Sequence, residues 1–239
     1  IIHSAPRARD RKRKVKIHAD LSKPAAARLD DLPWRPSPDG SVRRRMLDRD
    51  GGEVARATSV VAYPPGSSFA AHTHELGEEF LVLEGVFADE RGCYPEGTYV
   101  RNPPGSTHSP FSDQGCLLFV KLRQFDRNDS RHVAIDTNSA EWTETHTGVS
   151  AIDLHQHGQE RVMLVRLAPG AALADSCRRD GVEIMVLHGA VEESGTVYPA
   201  HSWMRWPPGS EPRLRSSGGA ICYVKQGHLG APRPSSRSG

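Results

Sequence analysis

The chain has 239 residues, which is enough for one large domain or for two domains of about 110 residues each. Its 31 basic and 29 acidic residues give a formal net charge of only +2, so the composition favours neither nucleic acid nor an acidic membrane surface as a partner. No apolar run approaches the roughly 20 residues that span a bilayer, and the four cysteines form no C-x-x-C pair. We therefore expect a cytoplasmic protein without a thiolate zinc site or a redox dithiol.

The two ends of the chain have the composition of flexible segments. Residues 1–16 include a basic run, which we interpret as a solvated extension rather than an arm that binds nucleic acid. Residues 230–239 have a similar linker-like composition. Helix is predicted only for the stretch KPAAARLDD at residues 23–31.

Between the ends, short runs of β-prone residues alternate with turns rich in Pro and Gly, and no apolar period of 3.6 residues is sustained. This pattern predicts an all-β fold. In chain order, the predicted strands are TSVVAY (58–63), EEFLVLEGVF (78–87), GTYVRN (97–102), CLLFVKLRQF (116–125), RVMLVRL (161–167), VEIMVLHGAV (182–191), HSWMRW (201–206) and AICYVKQ (220–226).

The sequence contains an internal repeat, because its two halves align without a gap at an offset of 104 residues. Gly85 falls on Gly189, and the turn PPGS occurs at 103–106 and again at 207–210. Shared turn residues indicate a shared backbone path, since Gly and Pro mark where the chain needs a positive or a locked φ. We place the two β domains at residues 17–128 and 129–229.

A candidate metal site begins in the stretch HTHELGEEF, residues 72–80. His72 and His74 are alternate residues of a predicted strand, so their side chains share a face. Glu78 follows a tight turn, and His108 follows the turn NPPGST. Three nitrogens and one carboxylate oxygen suit one divalent transition metal ion per chain, with zinc or iron expected first and manganese or nickel as alternatives.

The residues around these ligands extend the pattern. Residues 66–85 read G-x5-H-x-H-x3-E-x6-G, and residues 97–108 read G-x5-P-x-G-x2-H. This arrangement resembles the two signature motifs of the cupin superfamily, except that Ser112 replaces the terminal Asn of the second motif. The resemblance implies two tandem jelly-roll barrels, also described as double-stranded β-helices, with His72, His74, Glu78 and His108 as metal ligands.

Glu79 is the alternative carboxylate ligand. The repeat places Glu183 opposite Glu79 but Val182 opposite Glu78. A glutamate present in both halves is expected to be architectural, whereas one lost from the second half is expected to be a ligand. Glu78 also has the spacing to Gly85 that the cupin motif requires.

The second half lacks all four ligands of the first. The counterparts of the predicted ligands are Ser176, Arg178, Val182 and Pro212. We therefore expect no second metal site of this kind, and a second domain that stabilises, dimerises or closes over the first. A ligand pocket without metal is the alternative for this half.

Other histidines of the second half fall outside the motif positions. The stretch HQHGQE, residues 155–160, is interpreted as a solvated loop rather than a second metal site. His188 and His201 replace Glu84 and Gly97 singly, and such lone histidines are usually structural.

Several residues on the strands beside the ligands are candidates for lining the pocket, with core packing as the alternative for each. Arg101 is singled out as a carboxylate clamp, although its counterpart Arg205 in the half without ligands argues for a structural role. The candidates are Phe80, Val82, Tyr99, Arg101, Phe111, Phe119 and Lys121.

Residues 34–125 are similar to the ChrR-like cupin group, and the repeat extends this similarity more weakly to residue 229. The resemblance implies either the metal-binding sensory half of an anti-sigma factor or a free-standing protein. Related cupins include dioxygenases that cleave carbon–carbon bonds in dihydroxyacetophenone-like or β-diketone substrates. The chain has no cysteine before Cys93, so we do not expect direct sequestration of a sigma factor.

Two functions follow from these observations. The first is a mononuclear non-haem metal-dependent oxygenase, of dioxygenase type, that acts on a small oxygen-rich organic substrate. The second is a non-enzymatic metal-binding sensor or regulatory module. For both we expect a small-molecule ligand, neither a membrane nor a nucleic acid as partner, and a homodimer by analogy with other cupins.

Overall fold

The structure is a computed structural model that describes residues 15–52, 54–173 and 180–230. Most of the predicted basic extension, the predicted tail beyond residue 230, and Ser176, Cys177 and Arg178 lie outside the described residues. Within the described ranges, the only helix is a short 3-10 helix, Leu29–Asp31, and the other regular elements are all strands. None of their helical structure is long and apolar enough to cross a membrane.

The first half of the chain contributes thirteen of the described strands. They are β1 (Val15–Ile17), β2 (Ala25–Arg28), β3 (Arg35–Pro36), β4 (Arg43–Gly51), β5 (Ala55–Tyr63), β6 (Ser67–Ser68), β7 (His72–His74), β8 (Glu78–Asp89), β9 (Gly92–Pro95), β10 (Thr98–Asn102), β11 (Ser106–His108), β12 (Phe111–Ser112) and β13 (Cys116–Leu122).

The second half contributes eight described strands. They are β14 (Val133–Asp136), β15 (Thr143–His146), β16 (Val149–His157), β17 (Glu160–Leu167), β18 (Val182–Glu193), β19 (Thr196–Pro199), β20 (Ser202–Trp206) and β21 (Ala220–Gln226).

These strands form two tandem antiparallel jelly-roll barrels, which confirms the predicted fold class. The main sheet of the first barrel has the order β1-β4-β5-β13-β8-β10-β14, and that of the second has the order β15-β16-β17-β21-β18-β20-β2. The longest strand of each barrel occupies the same place in its sheet: β8 lies between β13 and β10, and β18 lies between β21 and β20. A separate ribbon of β7 and β11 belongs to the first barrel.

The prediction of helix at residues 23–31 is wrong. Ala25–Arg28 is a strand that pairs with β20, and only Leu29–Asp31 turns helically. Pairing with an available sheet edge outweighs the high helix propensity of three consecutive alanines, because propensity is a weak local preference.

The repeat of framing glycines has a steric cause. Gly85 and Gly189 have φ values of +75° and +72°, and a Cβ on either would lie 2.2 Å or 2.1 Å from the carbonyl oxygen of Gly115 or Gly219. Any larger residue would push β8 or β18 away from the turn that precedes the last strand of its half. Glycine is therefore required at the same point of each barrel.

The two halves exchange strands. The N-terminal β2 pairs with β20 of the second barrel, and β14, which follows the first barrel in sequence, pairs with β10 of the first. The predicted boundary at residues 128 and 129 therefore divides the chain in sequence, while each half also contributes one strand to the other barrel's sheet. The domain boundaries themselves stay a prediction.

The alternation of side chains along each strand separates an interior core from an interface core. Phe80 and Val82 of β8 point into the first barrel, whereas Leu81 points out and packs with residues of the second barrel. The interface core combines outward-facing side chains of both halves, among them Tyr99, Phe119, Met185, Trp203 and Tyr223. The barrels thus meet through the outer faces of their main sheets.

Candidate metal centre

Three of the four predicted ligands lie together on the ribbon of β7 and β11. His108 is the cross-strand partner of His72, and His74 lies two residues along β7 on the same face. The centroids of the three imidazole rings are 4.8, 5.0 and 4.9 Å apart, so the rings form a nearly equilateral triangle. One ligand nitrogen from each of the three histidines lies within 4.8 Å of the others.

Glu78, the first residue of β8, brings a carboxylate to the same point. Its Oε2 lies 3.4 Å from Nε2 of His74 and 3.6 Å from Nε2 of His108. The two Nε2 atoms are 2.9 Å apart. Two ligands at about 2.1 Å from one ion and at right angles would be about 3.0 Å apart, so this separation suits a shared metal ion. Three nitrogens and one oxygen form the mixed donor set that transition metals prefer.

Neighbouring acceptors fix the tautomers of two of the imidazoles. Nδ1 of His108 lies 3.1 Å from Oδ2 of Asp89, and Nδ1 of His72 lies 3.1 Å from the carbonyl oxygen of Ala70. A carboxylate and a carbonyl can only accept, so Nδ1 donates in both rings and Nε2 is the nitrogen that faces the other histidines. Such outer hydrogen bonds typically orient metal-binding histidines.

The electrostatics also favour ligands over cations. Burial, assisted by His72, lowers the pKa of His74 to about 4, and burial likewise lowers the pKa of His108. Both rings are therefore neutral near pH 7, as metal ligands must be. Burial raises the pKa of Glu78 although His108 and Asn102 act in the opposite direction, so the described residues do not fully supply the positive charge that its carboxylate needs. A metal cation at this point would supply that charge.

The sequence reasoning missed two supporting residues. Asp89 is buried and accepts hydrogen bonds from Tyr94 and from the backbone N–H of Arg91 as well as from His108. Asn102 donates from Nδ2 to Oε2 of Glu78 over 3.2 Å. The repeat carried a signal for Asn102, because its counterpart is Trp206. For Asp89 the signal was weak, since its counterpart, Glu193, is also acidic.

Among the candidates for the pocket wall, Phe80 and Val82 lie inside the first barrel. The ring of Phe80 is 4.7 Å from that of Phe87, which in turn is 6.1 Å from the ring of His108. Phe111 is the partner of Ala88 and therefore shares a face with Ala88 rather than with Phe87. Phe80 and Phe87 thus form part of an apolar wall beside the histidines, whereas Phe111 does not face them.

Tyr63 is a further interior residue that the sequence reasoning did not single out. It is the cross-strand partner of Cys116, and its ring is 5.2 Å from that of Phe69 and 5.6 Å from that of Phe87. Burial, reinforced by the nearby carboxylate of Glu78, raises the pKa of Tyr63 well above its ordinary value. Its phenol therefore stays protonated and can act as a hydrogen-bond donor inside the barrel.

The other four candidates for the pocket wall, Tyr99, Arg101, Phe119 and Lys121, face the second barrel instead of the histidines. Their cross-strand partners on β8 are Leu81 and Glu79, whereas the interior face of β8 carries Glu78 and Phe80. Because cross-strand partners share a face, all four side chains point away from the metal centre.

Arg101 is therefore not placed to clamp a substrate carboxylate. It is fully buried and donates to Glu79 from Nη1 over 2.7 Å and to Asp129 from Nη2 over 2.6 Å. Nη2 also lies 2.9 Å from a carboxylate oxygen of Glu160. The guanidinium is fully engaged by acidic groups of the barrel interface.

Glu79 has the architectural role that the repeat predicted, and its counterpart Glu183 has the same role. Lys225 of the second half donates to Glu79, while Lys121 of the first half donates to Glu183. The two pairs are reciprocal across the interface, since Glu79 matches Glu183 and Lys121 matches Lys225 at the repeat offset. Burial opposes ionisation, yet Lys225 and Arg101 hold the pKa of Glu79 well below its ordinary value.

The interpretation of HQHGQE as a solvated loop holds for the exposed turn at Gly158 and Gln159 but is wrong for His155 and Glu160. His155 and Glu160 lie on β16 and β17, are 4% and 8% exposed, and face the first barrel. Nε2 of His155 lies 2.8 Å from Oδ2 of Asp129, and Glu160 lies within ion-pair distance of Arg101 and Lys225. They belong to the interface network, and no metal cluster of histidines and acidic groups is found there among the described residues.

The interior of the second barrel is apolar around Val182, the counterpart of the proposed ligand Glu78. Val182, Val191, Met204 and Leu214 are all buried in one interior cluster, against which Trp206 packs. Two of the ligand counterparts, Ser176 and Arg178, lie outside the described residues. The described part of this interior offers no equivalent set of nitrogen and oxygen ligands.

The family model of the ChrR cupin-like domain matches the chain twice, at residues 22–126 and 130–230. No curated protein sequence matches the chain. A dioxygenase candidate from Nostoc punctiforme is a similar solved structure, with a TM-score of 0.71, 16% identity, and coverage of 89% of this chain and 88% of the other.

The bacterial pirin YhhW from Escherichia coli, solved in complex with nickel(II), matches with a TM-score of 0.64 and 12% identity over 85% of this chain and 98% of its own. The oxalate decarboxylase OxdC from Bacillus subtilis matches with a TM-score of 0.58 and 13% identity over 90% of this chain and 79% of its own. At these identities the likeness shows the fold alone.

Proposed function

Because the chain belongs to the ChrR cupin-like domain family, we propose that it is a mononuclear metal-dependent oxygenase that acts on a small, oxygen-rich organic substrate. One divalent transition metal ion would be held by His72, His74, Glu78 and His108. The observation that carries the proposal is the convergence of three imidazoles and one buried carboxylate on one point of the first barrel. Zinc and iron are the expected metals, with manganese and nickel as alternatives.

A bound ion would supply Lewis acidity toward a carbonyl or enolate oxygen and a position for dioxygen. The chain's own residues contribute the ligand set and its orientation. Asp89 holds His108 in the tautomer that leaves Nε2 free, and Asn102 steadies the carboxylate of Glu78. Loss of either contact would leave a ligand free to turn away from the centre.

The side chains around the centre suit a small molecule that is apolar on one side and oxygen-bearing on the other. His72 is exposed whereas His108 is buried, so the ligand cluster reaches from solvent to the barrel interior. Phe80 and Phe87 offer an apolar wall, and the protonated phenol of Tyr63 offers a hydrogen-bond donor to a substrate oxygen. β-Diketones and hydroxyacetophenones combine these properties.

The match to the ChrR cupin-like domain also favours a second candidate, a metal-binding sensory or regulatory module. In this alternative the same four ligands hold the ion, and a bound ligand or an oxidant changes the site without turnover. The cytoplasmic location and the homodimer expected from the sequence stay predictions.

Metal analysis of the purified protein tests the site shared by both candidates. We expect about one ion per chain in the wild type and loss of that ion in His72→Ala and His108→Ala. Pro212→Ala, at the counterpart of His108 in the second barrel, is the matched control and should keep the metal. Retention of metal in both histidine variants would refute the ligand assignment.

Oxygen consumption by the iron-loaded protein then separates the two candidates. The oxygenase should consume dioxygen when it is offered acetylacetone or 2,4'-dihydroxyacetophenone, and His108→Ala should abolish that consumption. Absence of turnover across a broad panel of diketones and hydroxyacetophenones, together with zinc in protein purified from its source, would favour the sensory module.

A further inference from the structure

Two buried polar atoms beside the proposed metal centre have no hydrogen-bond partner among the described residues. They are Oδ1 of Asn102 and Oγ of Ser106. Asn102 as a whole is only 1% exposed. Buried polar atoms of folded proteins nearly always have a partner, so two unpaired atoms at one place indicate a polar group that the protein binds there.

The orientation of the Asn102 amide is determined by Glu78. The two residues are cross-strand partners, and Nδ2 of Asn102 donates to Oε2 of Glu78 over 3.2 Å. A carboxylate only accepts hydrogen bonds, so the amide nitrogen faces it and the amide oxygen faces away. Oε2 of Glu78 also lies 3.4 Å from Nε2 of His74, which places the amide group beside two of the proposed ligands. Oδ1 of Asn102 is therefore a buried acceptor at the centre, and it needs a donor.

Ser106 brings a hydroxyl to the same side of the centre. It is the cross-strand partner of His74, so its side chain lies on the face of the ribbon that carries the imidazoles. A tight turn separates it from Asn102, because the N–H of Ser106 donates to the carbonyl oxygen of Pro103 over 3.0 Å. The N–H of Gly105 donates to the carbonyl oxygen of His74 over 2.9 Å. The turn is thereby fixed to the strand that supplies two of the ligands.

The combination of this amide and this hydroxyl is specific to the first half of the repeat. A serine follows the same turn in the second half, as Ser210, but Trp206 stands at the counterpart of Asn102. Trp206 packs against the apolar interior cluster of the second barrel. The two polar groups therefore occur together in the half that has the four proposed ligands.

We propose that Asn102 and Ser106 form a subsite that recognises a hydroxyl group of the molecule bound at the metal centre. This inference rests on the proposed function and deepens it, since it names a group that the ligand carries. Oδ1 of Asn102 would accept the hydroxyl proton, and Oγ of Ser106 would donate to the hydroxyl oxygen. A hydroxyl pairs both atoms, whereas an ether oxygen pairs only the serine and a methyl group pairs neither. The subsite therefore selects an α-hydroxy ketone over its methyl ether and over the simple ketone.

Three ligands with one ring system test the subsite by binding rather than by turnover. Isothermal titration of the full-length iron(II)-loaded protein, without dioxygen, would compare 2-hydroxyacetophenone with 2-methoxyacetophenone and acetophenone. We expect one site per chain and an affinity for the hydroxy ketone that is higher by about tenfold or more than for either of the others. The ether keeps both oxygen atoms and acetophenone is smaller than the hydroxy ketone, so neither chelation nor size accounts for a preference over both. Equal affinities, or binding of none of the three, would overturn the proposal.

Variants locate the preference. Ser106→Ala should keep about one ion per chain and reduce the preference for the hydroxy ketone over acetophenone by about threefold or more. Asn102→Ala should abolish the preference over the ether. Because Asn102 also donates to Glu78, its metal content is measured in the same preparation, and Ser106→Ala decides the matter if Asn102→Ala loses the ion. Ser210→Ala is the matched control and should keep both preferences, and an unchanged preference in metal-loaded Ser106→Ala would overturn the proposal.

The result is separable from the outcome for the oxygenase. Preference for the hydroxy ketone without oxygen consumption would support the subsite and count against the oxygenase. Oxygen consumption together with equal affinities for the three ligands would support the oxygenase and overturn the subsite. His72→Ala, which should lack the ion, tests where the ligand binds. Full retention of the preference in this variant would place the ligand away from the metal centre and would also overturn the subsite.

Discussion

The two barrels share a backbone and an interface but differ in what fills their interiors. On the outer faces, Glu79 and Lys121 of the first barrel pair with Lys225 and Glu183 of the second. Each of these residues has a counterpart of the same type in the other half. Duplication thus kept the residues by which the barrels hold each other.

The interiors show the opposite relation. The proposed ligands Glu78 and His108 of the first barrel are replaced by Val182 and Pro212, and Asn102, which donates to Glu78, by Trp206. A carboxylate in an apolar barrel costs free energy unless a cation or a hydrogen bond compensates it, so loss of the histidines removes the reason to keep the glutamate. Residues matched between the halves therefore indicate architecture, and unmatched residues indicate the site.

The largest effect expected from breaking this relation is on stability. Glu183→Gln removes the carboxylate that pairs with buried Lys121, whereas Glu79→Gln removes one of two carboxylates beside buried Lys225, which keeps Glu160 at 3.1 Å. Glu183→Gln should lower the free energy of unfolding by about 3–5 kcal/mol, measured by urea unfolding, because an uncompensated charge remains buried, and Glu79→Gln should lower it by less.

The control for these variants is Glu75→Gln, whose ion pair with Arg123 lies at the surface, where the side chain of Glu75 is 71% exposed. This change should cost less than about 1 kcal/mol. A cost of that small size for Glu183→Gln would mean that the matched residues do not hold the barrels together.

A second effect should appear in acid. The folded protein holds the pKa of Glu79 below its ordinary value of 4.5, so the carboxylate stabilises the fold above that pH and the stabilisation is lost as the pH falls toward the folded pKa. The free energy of unfolding should therefore decrease as the pH is lowered from about 5 to about 3, because the carboxylate of Glu79 takes up its proton at a higher pH in the unfolded chain than in the folded protein.

The comparison of wild type with Glu79→Gln isolates this contribution, because other groups titrate in both proteins. The difference in free energy of unfolding between the two should shrink as the pH falls from 5 to 3, as this linkage requires. A difference that stays constant over this interval would show that Glu79 does not titrate with a lowered pKa.

The sequence was most informative where local spacing determines geometry. The H-x-H spacing placed two imidazoles on one face, and the glycines of the repeat marked the turns at Gly85 and Gly189, where a Cβ cannot fit. Both follow from alternation and from backbone conformation, which a sequence states directly.

The sequence was least informative about which face of a strand meets the other barrel. Arg101 and Lys121 are predicted to line the pocket because they lie on strands next to the proposed ligands. In the structure, alternate residues of those strands face different barrels, and Arg101 and Lys121 face the second one. The position of His155 outside the motif predicts a loop residue, yet its ring is buried against Asp129, which is 26 residues away in sequence. Contacts of this kind depend on how the barrels dock, which local pattern does not encode.

A smaller effect should separate the supporting residues of the two interiors. Asp89→Asn removes the charge that holds His108, so metal affinity should fall by about 10–100-fold. Competition with a chromophoric chelator would measure it. The matched change in the second barrel, Glu193→Gln, should leave the affinity unchanged, and an equal loss in both variants would show a general effect of charge rather than support of the ligand.

The smallest expected effect concerns substrate rather than metal. Tyr63 has Leu167 as its counterpart, so its phenol, like the ligands, is present only in the first interior. If its hydroxyl donates one hydrogen bond to substrate, Tyr63→Phe should lower kcat/KM for the best diketone by about fivefold, corresponding to about 1 kcal/mol, with the metal content unchanged. Tyr198→Phe in the second barrel should leave kcat/KM at the wild-type value.

Loss of metal in Tyr63→Phe would mean that the phenol supports the metal site itself, and an unchanged kcat/KM would mean that the phenol does not bind substrate. After either result, the rule that unmatched residues indicate the functional site would apply only to the residues that hold the ion.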